Sequence, residues 1–255
     1  MKKSVIFFLL CLFTAPSFAQ GTAGDAASYE YRSLIDMPTA GVLKKGFFSV
    51  SSDVQPLGVL IARLEVGVFE DLSFGISYGG SNLIGTGSPK WYKLPAASIR
   101  YRIIGESVTF PAFTLGFDTQ GKGEYFNDDD RYAIKSPGLF LASMKNFAFL
   151  GFLSFHATLN YSLERYDGDN FVNLQVGAEK TIGPKVSLVA EYDFAFNDNQ
   201  SVNFGSGSGY MNLGVRWSVS EGFTLGFDLR DLLSNKKWYP GAADRAIRLE
   251  FIRNI

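Results

Sequence analysis

Leu153-Ser154-Phe155-His156-Ala157-Thr158-Leu159-Asn160-Tyr161-Ser162-Leu163-Glu164 alternates apolar and polar residues without a break. A helix would scatter such residues round its circumference, whereas a strand sends them to two opposite faces. The pattern therefore predicts a β-strand with one apolar and one polar side.

The same alternation recurs on both sides of this stretch. Val186, Leu188, Ala190, Tyr192, Phe194 and Phe196 oppose Ser187, Glu191, Asp193 and Asn197. Met211, Leu213, Val215 and Trp217 oppose Asn212, Gly214, Arg216 and Ser218, and Phe223, Leu225, Phe227 and Leu229 oppose Thr224, Gly226, Asp228 and Arg230. Twelve strands are predicted, over 46–54, 57–69, 72–80, 92–103, 108–119, 136–146, 152–165, 171–181, 185–197, 208–219, 222–231 and 245–254. Apolar residues on both sides of Gly138–Ala142 leave the register of the sixth open.

Short and longer links alternate between these strands. Glu70-Asp71, Gly105-Glu106, Gly151, Ile182–Pro184 and Ser220–Gly222 are short. Gly80–Trp91, Gln120–Lys135, Tyr166–Asn170, Asp198–Gly207 and Leu232–Asp244 are longer. Outer-membrane barrels join their strands by short periplasmic turns and longer external loops. An even strand number also places both chain ends on the periplasmic side. The fold expected is all-β, a single antiparallel transmembrane β-barrel of about twelve strands and outer-membrane type, formed by 46–255. Its apolar face meets lipid and its polar face lines the interior. Twelve strands enclose more space than wall side chains fill, and Gly67, Gly75, Gly116, Gly177, Gly214 and Gly226 lie on the polar face.

Composition agrees. The chain holds 24 Phe, 12 Tyr and 27 Gly, and no stretch after the leader approaches the roughly 20 apolar residues of a spanning helix. The leader itself, residues 1–19, has Lys2 and Lys3, an apolar run Val5–Phe13 and a Ser17-Phe18-Ala19 cleavage signature, which reads as a secretory signal peptide. Its removal takes away Cys11, the one cysteine, and with it any thiolate chemistry. The remaining 22 bases against 25 acids give a net charge of −3, which is no footprint for nucleic acid. The expected location is the bacterial outer membrane.

The predicted lumen is charged. Arg63, Arg100, Arg102, Arg216, Arg230 and Arg248 face Glu65, Asp118, Glu164, Glu179, Glu191, Asp193, Asp228 and Glu250. Mixed signs predict no strong ion selectivity, and two readings stay open: a polar path for a hydrophilic solute, or ion pairs that zip the interior shut. His156, the one histidine, shares that face with Ser154 and Ser162, a weak hydrolase signal. The Asp128–Asp130 run, with Glu124 nearby, matches no calcium-loop spacing and reads as solvated loop charge. No cofactor or metal is expected. Tyr78, Trp91, Tyr92, Tyr132, Tyr161, Tyr210, Trp238 and Tyr239 fall near predicted external strand ends, and Phe69, Phe147, Phe152, Trp217 and Phe223 near periplasmic ends. Two aromatic girdles are the expectation.

Residues 20–45 precede the first strand and are expected as a periplasmic segment that enters the barrel mouth or straps its end. They contain Ser33-Leu34-Ile35-Asp36-Met37-Pro38-Thr39-Ala40-Gly41, followed by Leu43 and Gly46. This motif, with Asp36, Pro38, Thr39 and Gly41, resembles the start of YjbH-type proteins, outer-membrane barrels associated with exopolysaccharide production. Members are much longer, and the resemblance covers about twenty residues. It implies an accessory role in envelope polysaccharide export. The partners implied by a barrel of this kind are outer-membrane lipid and lipopolysaccharide, the barrel assembly machinery, and a polysaccharide or small hydrophilic solute.

Overall fold

The computed structural model describes residues 21–199, 202–239 and 243–255. The signal peptide expected over 1–19 lies outside the described residues. Twelve antiparallel strands form the wall: β1 Phe47–Gln55, β2 Val59–Phe69, β3 Leu72–Ser81, β4 Ala96–Ile104, β5 Ala112–Asp118, β6 Gly138–Ala148, β7 Phe152–Tyr161, β8 Asn173–Ile182, β9 Val186–Asp193, β10 Tyr210–Ser220, β11 Phe223–Arg230 and β12 Asp244–Asn254. Each pairs with its neighbours in sequence. β1 also pairs with β12, from Phe47 opposite Asn254 to Val54 opposite Ile247, and this closes the barrel. Closure leaves no sheet edge, so every wall strand satisfies its backbone from both sides, as hydrocarbon requires.

The alternation places Phe74, Ile76, Ile99, Leu115, Phe155, Leu188, Val215 and Phe227 on the outside, each between 38 and 51% exposed. Ser73, Ser98, Arg100, His156, Glu191, Arg216 and Asp228 are buried on the inside. In β6 the open register resolves with Phe140, Ala142 and Met144 inward. The fifth strand starts later than expected, at Ala112. Pro111 has no N–H for the ladder, and residues 105–111 form a longer periplasmic turn that Ser107 closes by donating to the Phe110 carbonyl.

One external link folds back over the barrel. Within Gln120–Lys135, the segments Lys122–Phe126 and Arg131–Ile134 pair as a hairpin folded over the mouth. Tyr92, Tyr132 and Tyr210 were expected in the external girdle; they are buried instead, at 3, 5 and 4% exposure. The first two pack edge-on, with ring centres 4.9 Å apart, over the inward Val59 and Ile61 of β2. Tyr78 and Trp91, stacked at 5.6 Å, do face outward at that rim, and Phe69, Phe147 and Trp217 do so at the other, whereas Phe152 lines the interior at that end.

Candidate functional site: a lumen occupied by the N-terminal hairpin

Residues 22–43 run up the barrel interior and back down, with residues 25–28 against the turn at Gly183 and Pro184, and Thr22, Ala23, Leu34, Ile35, Met37, Thr39 and Ala40 are all at most 2% exposed. The rising arm begins at the periplasmic end. Thr22 N–H donates to Thr224 Oγ1 at 3.1 Å, Ala23 N–H to Ser218 Oγ at 3.0 Å, and Asp25 N–H to the Gly183 carbonyl at 3.0 Å. The tip is Ile35-Asp36. Leu34 N–H donates to the Met37 carbonyl at 3.0 Å and Thr39 N–H to that of Arg32 at 3.1 Å, which holds the two arms antiparallel.

The motif residues shape this hairpin. Pro38, which has no N–H to satisfy, follows the tip; its carbonyl accepts from Thr158 Oγ1 at 2.7 Å. Thr39 donates its hydroxyl to the Tyr31 carbonyl and accepts the Gly41 N–H. A Cβ on Gly41 would lie 1.8 Å from the Tyr31 oxygen, so only glycine lets the arms approach there. Asp36 pairs with Arg230 at 2.7 Å.

A buried hairpin with few partners of its own exposes backbone donors and acceptors that need partners. The wall charges supply them. Glu191 accepts the N–H groups of Ile35, Asp36 and Met37 at 2.9, 2.8 and 3.1 Å. Arg216 donates to the Leu34 carbonyl and Arg248 to that of Ile35, both at 2.6 Å. On the descending arm, Arg100 donates to the Thr39 carbonyl at 3.2 Å, while Thr114 and Arg102 donate to that of Ala40 at 2.6 and 2.9 Å. Apolar contacts add to this. Leu34, Ile35 and Met37 cluster with Tyr31 and the inward Val189, and Ala40 packs with Ala112, Phe140, Ala142 and Met144.

The inward glycines make the room. A Cβ on Gly67 would meet the Lys44 carbonyl oxygen at 1.9 Å, and one on Gly177 would meet Leu34 Cδ1 at 2.4 Å.

Most of the predicted lumen residues meet in ion pairs. Arg63 pairs with Asp118 at 2.7 Å and Arg216 with Asp228 at 2.5 Å. Glu65 and Glu250 both bind Arg32 of the hairpin, and Arg102 binds Glu30. Asp193 accepts from Asn173 and Gln175 at 2.7 and 2.9 Å. Glu164 is displaced from this set. β7 ends at Tyr161, and the Glu164 carboxylate lies in the external layer, taking the N–H groups of Tyr132 and Ser136, both at 2.9 Å. Burial pushes this carboxyl above its ordinary range against those bonds. Asp53 was missed. It joins Arg248 at 2.8 Å and Lys122 at 2.7 Å, and the alternation Ser49, Ser51, Asp53, Gln55 could have placed it inward.

His156 forms no hydrolytic constellation among the described residues. Neither ring nitrogen has a hydrogen-bond partner. Ser154 donates to Asn146, and Ser162 accepts the Glu164 N–H.

The hairpin does not fill the interior. Beside and above its tip, cavities of about 60, 60 and 20 Å³ share Asp36 and Lys122 in their linings, and the first continues along the hairpin to Thr22 and Thr224 at the periplasmic end. On the periplasmic side a crevice of about 210 Å³ lies between the rising arm and β6–β8. Over the external mouth, buried Arg131 binds Asp167 and Asp198, each at 2.6 Å, and Lys135 binds Asp167 at 2.8 Å. Burial opposes the Arg131 charge, but Asp198 and Asp167 hold the guanidinium protonated.

No protein-family model and no curated protein matches the chain. Among solved structures it is similar to the KdgM porin, free and in complex with disordered oligogalacturonate. Both match at a TM-score of 0.50 and 7% identity, over 82% of this chain and 99% of that one. The Acinetobacter baumannii outer membrane protein Omp33 aligns at a TM-score of 0.44 and 10% identity, over 84% of this chain and 99% of that one. At these identities the likeness to the KdgM porin is one of fold, and the chain has the fold of an outer-membrane porin-type barrel.

Proposed function

We propose that this protein is an outer-membrane channel for hydrophilic solutes, held closed by its own N-terminal hairpin and opened when the tip leaves its cage. One observation carries the reading: cavities run along the hairpin inside the barrel, from Asp36 at its tip to Thr22 and Thr224 at the periplasmic end, and the hairpin occupies the path between the two mouths. A barrel whose only task is structural gains nothing from unfilled polar space inside it. The tip is held by exchangeable polar contacts to Glu191, Arg216, Arg248 and Arg230, groups that water can satisfy once the hairpin withdraws. The ion pairs leave the lining balanced in sign, which supports passage of neutral or weakly charged solutes rather than strong ion selection.

The test is conductance of the whole purified chain in planar bilayers, with solute uptake into liposomes. Rare, discrete openings that become frequent when the tip cage is weakened support the channel. No conductance in any cage variant, with no uptake, overturns it in favour of a closed structural or surface barrel.

A second reading rests on the Ser33–Gly41 motif, which forms the tip and flanks of the hairpin and resembles YjbH-type proteins. In this reading the barrel is an accessory to envelope polysaccharide export. Undiminished polymer secretion after gene deletion would remove it. Lipid, lipopolysaccharide and the barrel assembly machinery are the partners such a barrel needs in either reading.

A further inference from the structure

The crevice on the periplasmic side differs in chemistry from the rest of the interior. Around Arg63, Arg216, Arg230 and Arg248 acids and bases pair. Here the lining holds Asp25, Glu30 and Glu179 and no lysine or arginine. Glu30 is neutralised from outside the lining by Arg102. Asp25, exposed at the crevice mouth, takes the Thr181 hydroxyl, and Glu179 meets Ser187 with Arg216 as its nearby base, so among the described residues neither carboxylate is in direct contact with a base.

A second observation is independent of these acids. His156 lines the same crevice at 4% exposure, and neither of its nitrogens has a partner. A buried imidazole with both nitrogens unmatched costs free energy unless something in the crevice meets it. Tyr29 and Phe152 add ring surface to the lining, which attracts a cation.

We infer that this crevice is a binding site for a primary ammonium group, held between the hairpin and the β7–β8 wall. An ammonium carries one positive charge and three N–H donors. It finds the carboxylate of Glu179 and the hydroxyl of Ser154, which lie opposite each other on the wall, with His156 at the deeper end of the crevice and Asp25 of the hairpin at its mouth. A metal ion fits less well: no group of three histidine, cysteine or acidic side chains among the described residues is arranged to hold one. Because Asp25 belongs to the hairpin and Glu179 to the wall, the bound cation ties one to the other and favours the closed state by mass action. The site itself does not depend on the channel reading.

The chain has one histidine, so the imidazole signals of the folded protein report on this crevice alone. Histidine-labelled full chain in phosphatidylcholine nanodiscs at pH 8, titrated with putrescine against sodium chloride of equal ionic strength, should show a saturable shift of those signals. Glu179→Gln and, on the hairpin, Asp25→Asn should each weaken the apparent affinity at least fivefold, with heat-dependent gel migration confirming an intact barrel. Lys93→Ala, on the outer surface, should leave it unchanged. A shift that appears only when phosphatidylethanolamine replaces part of the lipid would identify the ammonium as a lipid headgroup; a shift with putrescine alone would identify a soluble amine. No saturable shift from either source, or equal affinity in both acid variants, overturns the site.

Discussion

Replacing Glu191 by alanine removes the acceptor that caps the hairpin tip. Three backbone N–H groups, from Ile35, Asp36 and Met37, bond to its carboxylate within 3.1 Å. Hydrogen bonds to a charged group contribute about 1.5–3 kcal/mol each. Water entering the space left by the side chain restores part of that, so we take the net loss of tip anchoring as about 4 kcal/mol, a factor of about 10³ in the closed-to-open equilibrium. The wall ladder is untouched, since the Glu191 backbone still pairs with Gly177 and Asn212. The expected outcome is a barrel with parental heat-dependent gel migration and an open probability in planar bilayers raised by two to three orders of magnitude. An intact Glu191→Ala barrel that stays closed as firmly as the parent would refute the reasoning, because the tip would then owe its position to something other than this carboxylate.

Other consequences follow from the same cage. Asp36→Asn leaves Arg230 buried without its acid, which costs about 3–5 kcal/mol and should also open the barrel; adding Arg230→Met should recover much of the closure, and a double-mutant cycle showing no coupling would contradict the pair. Thr22→Cys with Thr224→Cys places thiols where the two hydroxyls now lie 3.0 Å apart, so oxidation should lock the barrel shut and reductant release it, read as conductance before and after. Gly67→Ala drives a methyl into the Lys44 carbonyl at about 1–3 kcal/mol; proteolysis of residues 21–45 from the periplasmic side should speed up, and an unchanged rate would count against the close approach.

The barrel was legible in the sequence because a strand repeats every two residues and each wall strand has lipid on one side. β6 was ambiguous for a physical reason. Its inward Phe140, Ala142 and Met144 pack with Ala40 of the hairpin rather than facing water, so both faces read as apolar. The hairpin escaped the same reading because residues 22–43 are neither strand nor helix and carry no period. Their burial follows from contacts with eight or more strands, which no local pattern encodes. Two signals pointed to it all the same. Inward glycines such as Gly67 and Gly177 leave space that nothing in the wall fills, and the wall carries polar groups whose wall neighbours satisfy them only in part: Asn212 gives Glu191 one donor, and the hairpin gives three. Asp36, Pro38, Thr39 and Gly41 were singled out by resemblance, and the structure supplies their local roles at the tip and the descending arm. Tyr92 and Tyr132 lie in external links that fold over the mouth, and Tyr210 opens β10 on its inward face, where it donates to Asp198; alternation alone does not tell a rim aromatic from one turned inward.

Residues 31–43 lie inside the barrel, and amide hydrogen exchange of the full chain in nanodiscs tests this most directly. Leu34, Ile35, Asp36, Met37 and Thr39 each have a buried acceptor for their N–H, so their amides should exchange slowly, within the range of the wall strands, and Glu191→Ala should accelerate those of Ile35, Asp36 and Met37 first. Exchange of these amides at the rate of an unstructured segment in the unmodified protein would contradict it.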